Sequence, residues 1–381
     1  MEKMDLNSYL RDLEEIVNMD SGSADLDGCL QVAEFFIERF QREGFTVRVS
    51  REPGRHPHLE ARYFARPGTD IDVLFIGHMD TVFPKGTALA RPFRLEGDHA
   101  RGPGVADMKS GDLLALYLAS AIKAQKLPLN LCVALNSDEE AGSGDSAEWL
   151  RELGAVSAFC FNFEPGRDTG AFVKARKGVY EYRVQFKGIA AHAGVAPEKG
   201  ASAVVEMARW IDGLTKLSDA KVGTTLNPGV VRGGTVSNVV AEDAEILIDL
   251  RYTDERERER VERAFDEMAA NPKVTGVKCV WRRGEGFPPM NPNERTEVLI
   301  RLLEENAEAL GQEKPQFVAT GGGSDSNNLG GLSVSVVDAC GPIGGNYHSD
   351  AEYMVTTSVE GRFALILETV KAIAARQRNR A

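Results

Sequence analysis

The sequence predicts an α/β protein, a domain with a central, mostly parallel sheet flanked by helices, interrupted by a smaller α+β unit. Three observations carry this. Apolar, β-branched runs alternate with stretches of helical spacing through the first half of the chain. At Gly178 the pattern changes to alternating strands in the order β-α-β-β-α-β, a ferredoxin-like unit. After Pro288-Pro289 the α/β pattern resumes. At 381 residues the chain exceeds what one core comfortably organises. The expected division is 1–177 with 285–381 for one domain and 178–284 for the insert.

Each element has its own signal. Leu6, Leu10, Leu13 and Val17 give an amphipathic helix over 6–18. Val32, Phe36 and Phe40 form the stripe of a second over 26–43, with Gly44 as its stop. Strands are expected at 45–50, 59–64 and 72–77, and a hairpin over 93–101 turns at Gly97-Asp98. The glycine-rich loop 101–111 leads into a helix over 112–124, and strands are expected again at 129–135 and 158–163. In the insert, Tyr180, Tyr182, Val184 and Phe186 share one strand face. Helices at 201–217 and 254–270 and strands at 224–232, 244–252 and 274–282 complete it, with the two helices covering one sheet face. The returning segment carries a helix at 295–310 and strands at 316–319 and 334–337. A last helix, capped by Thr357 or Ser358, runs to about 376.

Bulk properties exclude several classes. A net charge of −12 argues against nucleic acid or an anionic membrane as partner. Cys29, Cys132, Cys160, Cys279 and Cys340 are odd in number and scattered, which describes free thiols in a reducing compartment. The acidic N-terminus has no signal-peptide pattern, and no apolar run is long enough to span a membrane. A cytoplasmic protein is expected.

The chemistry gathers where strands end. The run Ile71–Gly77 is followed by His78 and Asp80, which leave the strand on one side. Alone, they read as a hydrogen-bonded pair. Asp107 comes from the glycine loop, Glu139 and Glu140 come after the strand at 129–135, and Glu164 after the next. Carboxyl ends of parallel strands are the usual site of chemistry in an open α/β sheet. Carboxylates gathered there repel one another unless cations intervene. A His and Asp/Glu set without thiolate suits zinc, with manganese or cobalt as alternatives. A second histidine is needed, and His348, in the loop Gly344–Asp350, is the better ligand. His56, His58 and His99 read as exposed surface residues; His192 belongs to the insert.

The segments Gly77-His78-Met79-Asp80-Thr81-Val82, Gly104–Lys109, Asp138-Glu139-Glu140, Glu164-Pro165, Ala191-His192-Ala193-Gly194 and His348-Ser349-Asp350 occur in order along the chain. Together they resemble the signature set of the di-zinc exopeptidase and amidohydrolase family. That family includes carboxypeptidase G, aminoacylase, acetylornithine deacetylase and succinyl-diaminopimelate desuccinylase. Phe83-Pro84-Lys85-Gly86 and Thr320–Asp325 resemble the carboxypeptidase G branch.

The resemblance implies two zinc ions per subunit, bridged by Asp107. His78 and Glu164 would complete one, Glu140 and His348 the other. Asp80 would orient His78, Glu139 would be the general base, and the Asp107–Met108 peptide would be cis. It further implies His192 as a donor to the oxyanion, reached from a partner subunit or after domain closure. Asn238 and Arg251 would hold a substrate carboxylate, although Arg251 reads equally well as a surface ion pair. Gly322 and Gly323 would let backbone approach the substrate. The insert would act as a lid and as the interface of a homodimer.

The implied activity is hydrolysis of an amide next to a free carboxylate, in a small peptide or N-acyl amino acid. A deacylase of the aminoacylase type is the enzymatic alternative, and a catalytically silent binder of amino-acid conjugates is the alternative of another class. Gly284-Glu285-Gly286 stands where glutamate-specific relatives place basic residues, and the sign of Glu285 argues against an acidic side chain on the substrate.

Overall fold

A computed structural model describes residues 4–378 and divides them into two compact units. The first comprises the described residues up to Ala175, Asn291–Ala319 and those from Ser324 onward. Its six-stranded sheet runs Thr46–Ser50, His58–Phe64, Asn130–Asn136, Ile71–His78, Ser157–Asn162 and Ser335–Val337 from edge to edge. The last four are mutually parallel, and the first two are antiparallel additions. Ile71–His78 lies between two parallel neighbours, and all eight of its residues are buried. That is why its sequence is a continuous apolar run rather than an alternating one.

Helices Leu6–Val17, Leu26–Arg42, Ser110–Ala124, Glu294–Ala309 and Ser358–Arg378 contribute to one core with the sheet. The first is capped by Asp5, whose carboxylate accepts from the Asn7 and Ser8 backbone N–H groups. Two glycines set how closely the Ser110–Ala124 helix approaches the strand ends. A Cβ on Gly77 would lie 2.1 Å from Asp112 Oδ1, and one on Gly111 only 1.9 Å from the Phe163 carbonyl oxygen.

The register brings the strand ends level. His78 pairs with Asn136, and Ile76 pairs with Asn162. The segments leaving these strands therefore emerge on a single rim. The expected hairpin, Arg94–Glu96 with His99–Arg101, is extended by Tyr353–Val355 and Gly344–Gly345 into a four-stranded sheet. The loop bearing His348 is strung between those last two strands.

Three local features differ from expectation. The helix Ala147–Ala155 has no counterpart in the sequence pattern, because only Leu150, Leu153 and Gly154 are buried on it and the stripe is too short to register. The strand Phe172–Arg176 is likewise unexpected. His58 is buried, its ring stacked 5.3 Å from that of Trp149, and His56 is half-buried; neither is the exposed residue that a polar, Pro-rich loop suggests.

The second unit comprises Arg176–Met290 and Thr320–Gly323. Its strands are ordered Thr225–Gly233, Asp243–Tyr252, Gly178–Lys187 and Lys278–Phe287, all antiparallel, the ferredoxin-like order. Tyr182, Val184 and Phe186 face a core with Trp210 and Phe265 from the helices Ala203–Leu217 and Glu255–Ala270. The last strand begins at Lys278, because Val277 N–H closes a turn onto the Val274 carbonyl. It runs on past Arg282 through a bulge between Arg283 and Gly286.

Candidate metal centre

Five side chains from five places in the sequence meet on the rim of the first unit. Asp107 stands at the centre. Its Oδ1 lies 3.3 Å from His78 Nε2, and its Oδ2 lies 3.3 Å from His348 Nε2. Glu164 Oε1 is 3.7 Å from His78 Nε2, and Glu140 Oε1 is 3.3 Å from His348 Nε2. The two oxygens of one carboxylate thus face two separate His–Glu pairs.

These separations suit a cation. Ligand atoms at 2.0–2.2 Å around a tetrahedral zinc stand roughly 3.3–3.5 Å apart. His78, Asp107 and Glu140 form one of two groups among the described residues whose ligand atoms could converge on one ion. Glu139 is set back, with Oε2 4.0 Å from His78 Nε2. Burial, and then the neighbouring Glu164, Asp325 and Glu140 carboxylates, push the Glu139 carboxyl well above its ordinary range. Burial also raises Glu140. The hydrogen bond to Asp107, and then that to Glu140, raise His348 to about 10. Burial opposes ionisation of Asp107, but hydrogen bonds from His348 and His78 prevail and hold it well below the usual carboxylate range. A divalent cation is the counter-charge that so dense a set of buried carboxylates calls for.

Asp80 holds this rim in two ways. Its backbone carbonyl accepts from His78 Nδ1 at 3.1 Å, while its carboxylate stands at 3.4 Å. The carboxylate accepts instead from the Glu139 and Glu140 backbone N–H groups and from Ser23 Oγ at 2.7 Å. It therefore fixes the 139–140 turn to the end of the His78 strand. The Asp107–Met108 peptide is cis.

Two supporting residues are not evident from the sequence. Glu352 is buried, and its carboxylate accepts from three backbone N–H groups, Gly104 at 3.1 Å, Ala106 at 2.9 Å and Asp107 at 3.0 Å. It ties the glycine loop to the segment that carries His348, and its place four residues beyond His348 is the available signal. His56 bonds through Nδ1 to Asp145 Oδ2 at 2.9 Å and through Nε2 to the Ser23 carbonyl at 3.0 Å. Both partners accept, which favours the doubly protonated ring and raises its pKa against the opposing effect of burial. With Asp138 and Asp145 it forms the second cation-competent group among the described residues.

The remaining candidates belong to the second unit. His192 is exposed, and its Nδ1 accepts from the Gly194 N–H at 3.1 Å, which leaves the proton on Nε2 as a free donor. Asn238 is its neighbour, since the Asn238 carbonyl accepts from the Ala193 N–H at 2.9 Å. Arg251 bonds to the Asp249 carboxylate through Nε and Nη2 and to the Gly321 carbonyl through Nη1 at 3.1 Å. Arg176, unsuspected from sequence, binds the Gly322 and Gly323 carbonyls at 3.1 and 3.0 Å. Two arginines therefore shape the 320–323 segment.

An α/β sheet with a cation-competent rim and an inserted ferredoxin-like unit is the architecture of a metallohydrolase. The chain belongs to peptidase family M20/M25/M40, which it matches over residues 74–372. It is 29% identical over 380 residues to carboxypeptidase G2 of Pseudomonas sp. (strain RS-16), covering 97% of this chain and 90% of that one. It is 26% identical over 336 residues to succinyl-diaminopimelate desuccinylase of Xanthomonas campestris pv. campestris (strain B100), covering 81% and 86%. Among solved structures, a Staphylococcus aureus tripeptidase superposes with a TM-score of 0.82 at 23% identity, covering 98% of this chain and all of that one. The protein is a hydrolase of peptide or amide bonds. No helix among the described residues is long and apolar enough to cross a membrane.

Proposed function

We propose that the protein is a zinc-dependent hydrolase of an amide bond adjacent to a free carboxylate, acting on short peptides or N-acyl amino acids. The observation that supports this best is the divided carboxylate of Asp107, each oxygen facing its own His–Glu pair. His78 and Glu164 would hold one ion, His348 and Glu140 the other, with Asp107 between them; cobalt or manganese would also suit this ligand set. When bound, such a pair lowers the pKa of water and polarises a carbonyl.

The chain's own residues do the rest. Glu139, half-buried beside the ligands but set back from them, takes the proton of the attacking water and returns it to the leaving nitrogen. Its raised proton affinity suits that shuttle. His192, with its proton on Nε2, donates to the developing oxyanion. Asn238 and Arg251 hold the substrate carboxylate, Arg251 exchanging part of its bonding to Asp249 for the substrate. Gly322 and Gly323 let the backbone approach. The second unit serves as lid and as the contact of a homodimer. A deacylase of N-acyl amino acids uses the same machinery and differs only in the acyl group.

Metal analysis and one variant test this. Purified protein should hold stoichiometric divalent metal, and chelation should abolish hydrolysis of N-acyl amino acids. Glu139→Gln should lower kcat by roughly 10²- to 10⁴-fold with metal content unchanged. Metal-free active protein, or a fully active Glu139→Gln, would overturn the proposal. A screen varying the C-terminal residue sets specificity, with neutral side chains expected to outrank glutamate.

A further inference from the structure

A cavity of about 550 Å³ opens in the first unit between the 22–25 and 82–85 segments. Ser23, Ala24, Val82, Phe83 and Ala141 line it, and so does Glu140. It borders the metal centre, since Glu140 lines it and faces His348 Nε2 at 3.3 Å, and the lining Ser23 Oγ bonds Asp80.

We infer that this cavity receives the acyl half of the substrate, and that it selects a neutral, apolar group. The inference rests on the function proposed above. An amide next to a carboxylate has two halves, and the carboxylate half requires a cation. This cavity offers none that is free. Its one basic side chain, Lys85, stands 3.1 and 3.0 Å from the two oxygens of Asp25 and is neutralised by them. Its other charged group, Glu140, is one of the residues that would hold metal and supplies no cation to a substrate carboxylate. The rest of the wall is small or apolar apart from the Ser23 and Thr81 hydroxyls, and Val82, 42% exposed overall, is part of it. An isopropyl group held open to solvent beside a hydrolytic centre gains by being covered, and an apolar acyl chain or side chain covers it.

The test uses the metal-loaded enzyme and N-acetyl, N-butanoyl, N-hexanoyl and N-succinyl derivatives of the best amino acid from the screen. For wild type, kcat/KM should rise with each added methylene, by about fourfold where burial is complete. N-succinyl, similar in length to butanoyl but anionic, should fall at least about tenfold below it. Val82→Ser should cost about fivefold on the hexanoyl substrate, through KM, and leave the acetyl substrate within about twofold. Val82→Leu should keep the chain-length preference. A flat profile in wild type, or an equal loss on every substrate in Val82→Ser, refutes the subsite while the proposed activity stands. No hydrolysis of any derivative, nor of a dipeptide ending in the same amino acid, refutes both.

Discussion

Removing the Glu352 side chain should weaken both the fold around the glycine loop and its hold on metal. The carboxylate accepts from the Gly104, Ala106 and Asp107 N–H groups at 2.9–3.1 Å, the last belonging to the residue at the centre of the metal cluster. Glu352→Ala strands three backbone donors, two of them on the buried residues Gly104 and Ala106. Each stranded donor costs about 1–3 kcal/mol, so the total is on the order of 5 kcal/mol. Glu352→Gln keeps one oxygen and loses the bond that its amide nitrogen now faces, at about 1.5–3 kcal/mol for a charged acceptor. Urea unfolding of chelated protein reads the stability loss free of any metal contribution. Zinc affinity, titrated against a competing chelator, should fall roughly 10- to 100-fold in Glu352→Gln, as for other partners that position ligands. Wild-type stability and zinc affinity in Glu352→Ala would refute the clamp. Lost stability with unchanged affinity would show that the loop is held elsewhere.

Two further predictions probe the frame around the site. Gly111→Ala should destabilise by about 3 kcal/mol, because its Cβ meets a backbone oxygen at 1.9 Å that cannot move aside. Helix propensity alone would favour alanine by about 1 kcal/mol, so an unchanged or raised Tm would refute the close approach. His56 supplies the pH dependence. Burial alone would lower its pKa, but the Asp145 carboxylate and the Ser23 carbonyl more than offset this and raise it. A raised histidine contributes stability that is complete below its unfolded value of about 6.5 and lost as pH rises through the folded value. The stability difference between wild type and His56→Gln, from urea unfolding at pH 6 to 9, should therefore shrink with rising pH. A difference that is constant or growing would show that His56 is neutral in the folded protein.

Much of this protein is written locally. The apolar run Ile71–Gly77, bounded by turn signals, reads as a strand buried on both faces, and it is one. The alternation Tyr180–Phe186 places one strand face against a core, where Tyr182, Val184 and Phe186 lie. The ligand-competent residues are visible because each stands just past a strand or glycine loop. Sequence could not say that the strands end level, since register depends on pairing across tens of residues; only His78 opposite Asn136 and Ile76 opposite Asn162 make a rim. Nor could it say that the two oxygens of Asp107 divide between two histidines. Asp80 shows the division most clearly. From sequence it is the partner of His78, but its backbone carbonyl takes that role while its carboxylate gathers Ser23, Glu139 and Glu140. Residue type and spacing follow from local chemistry, whereas the choice among competing hydrogen-bond donors is made only when distant segments pack together.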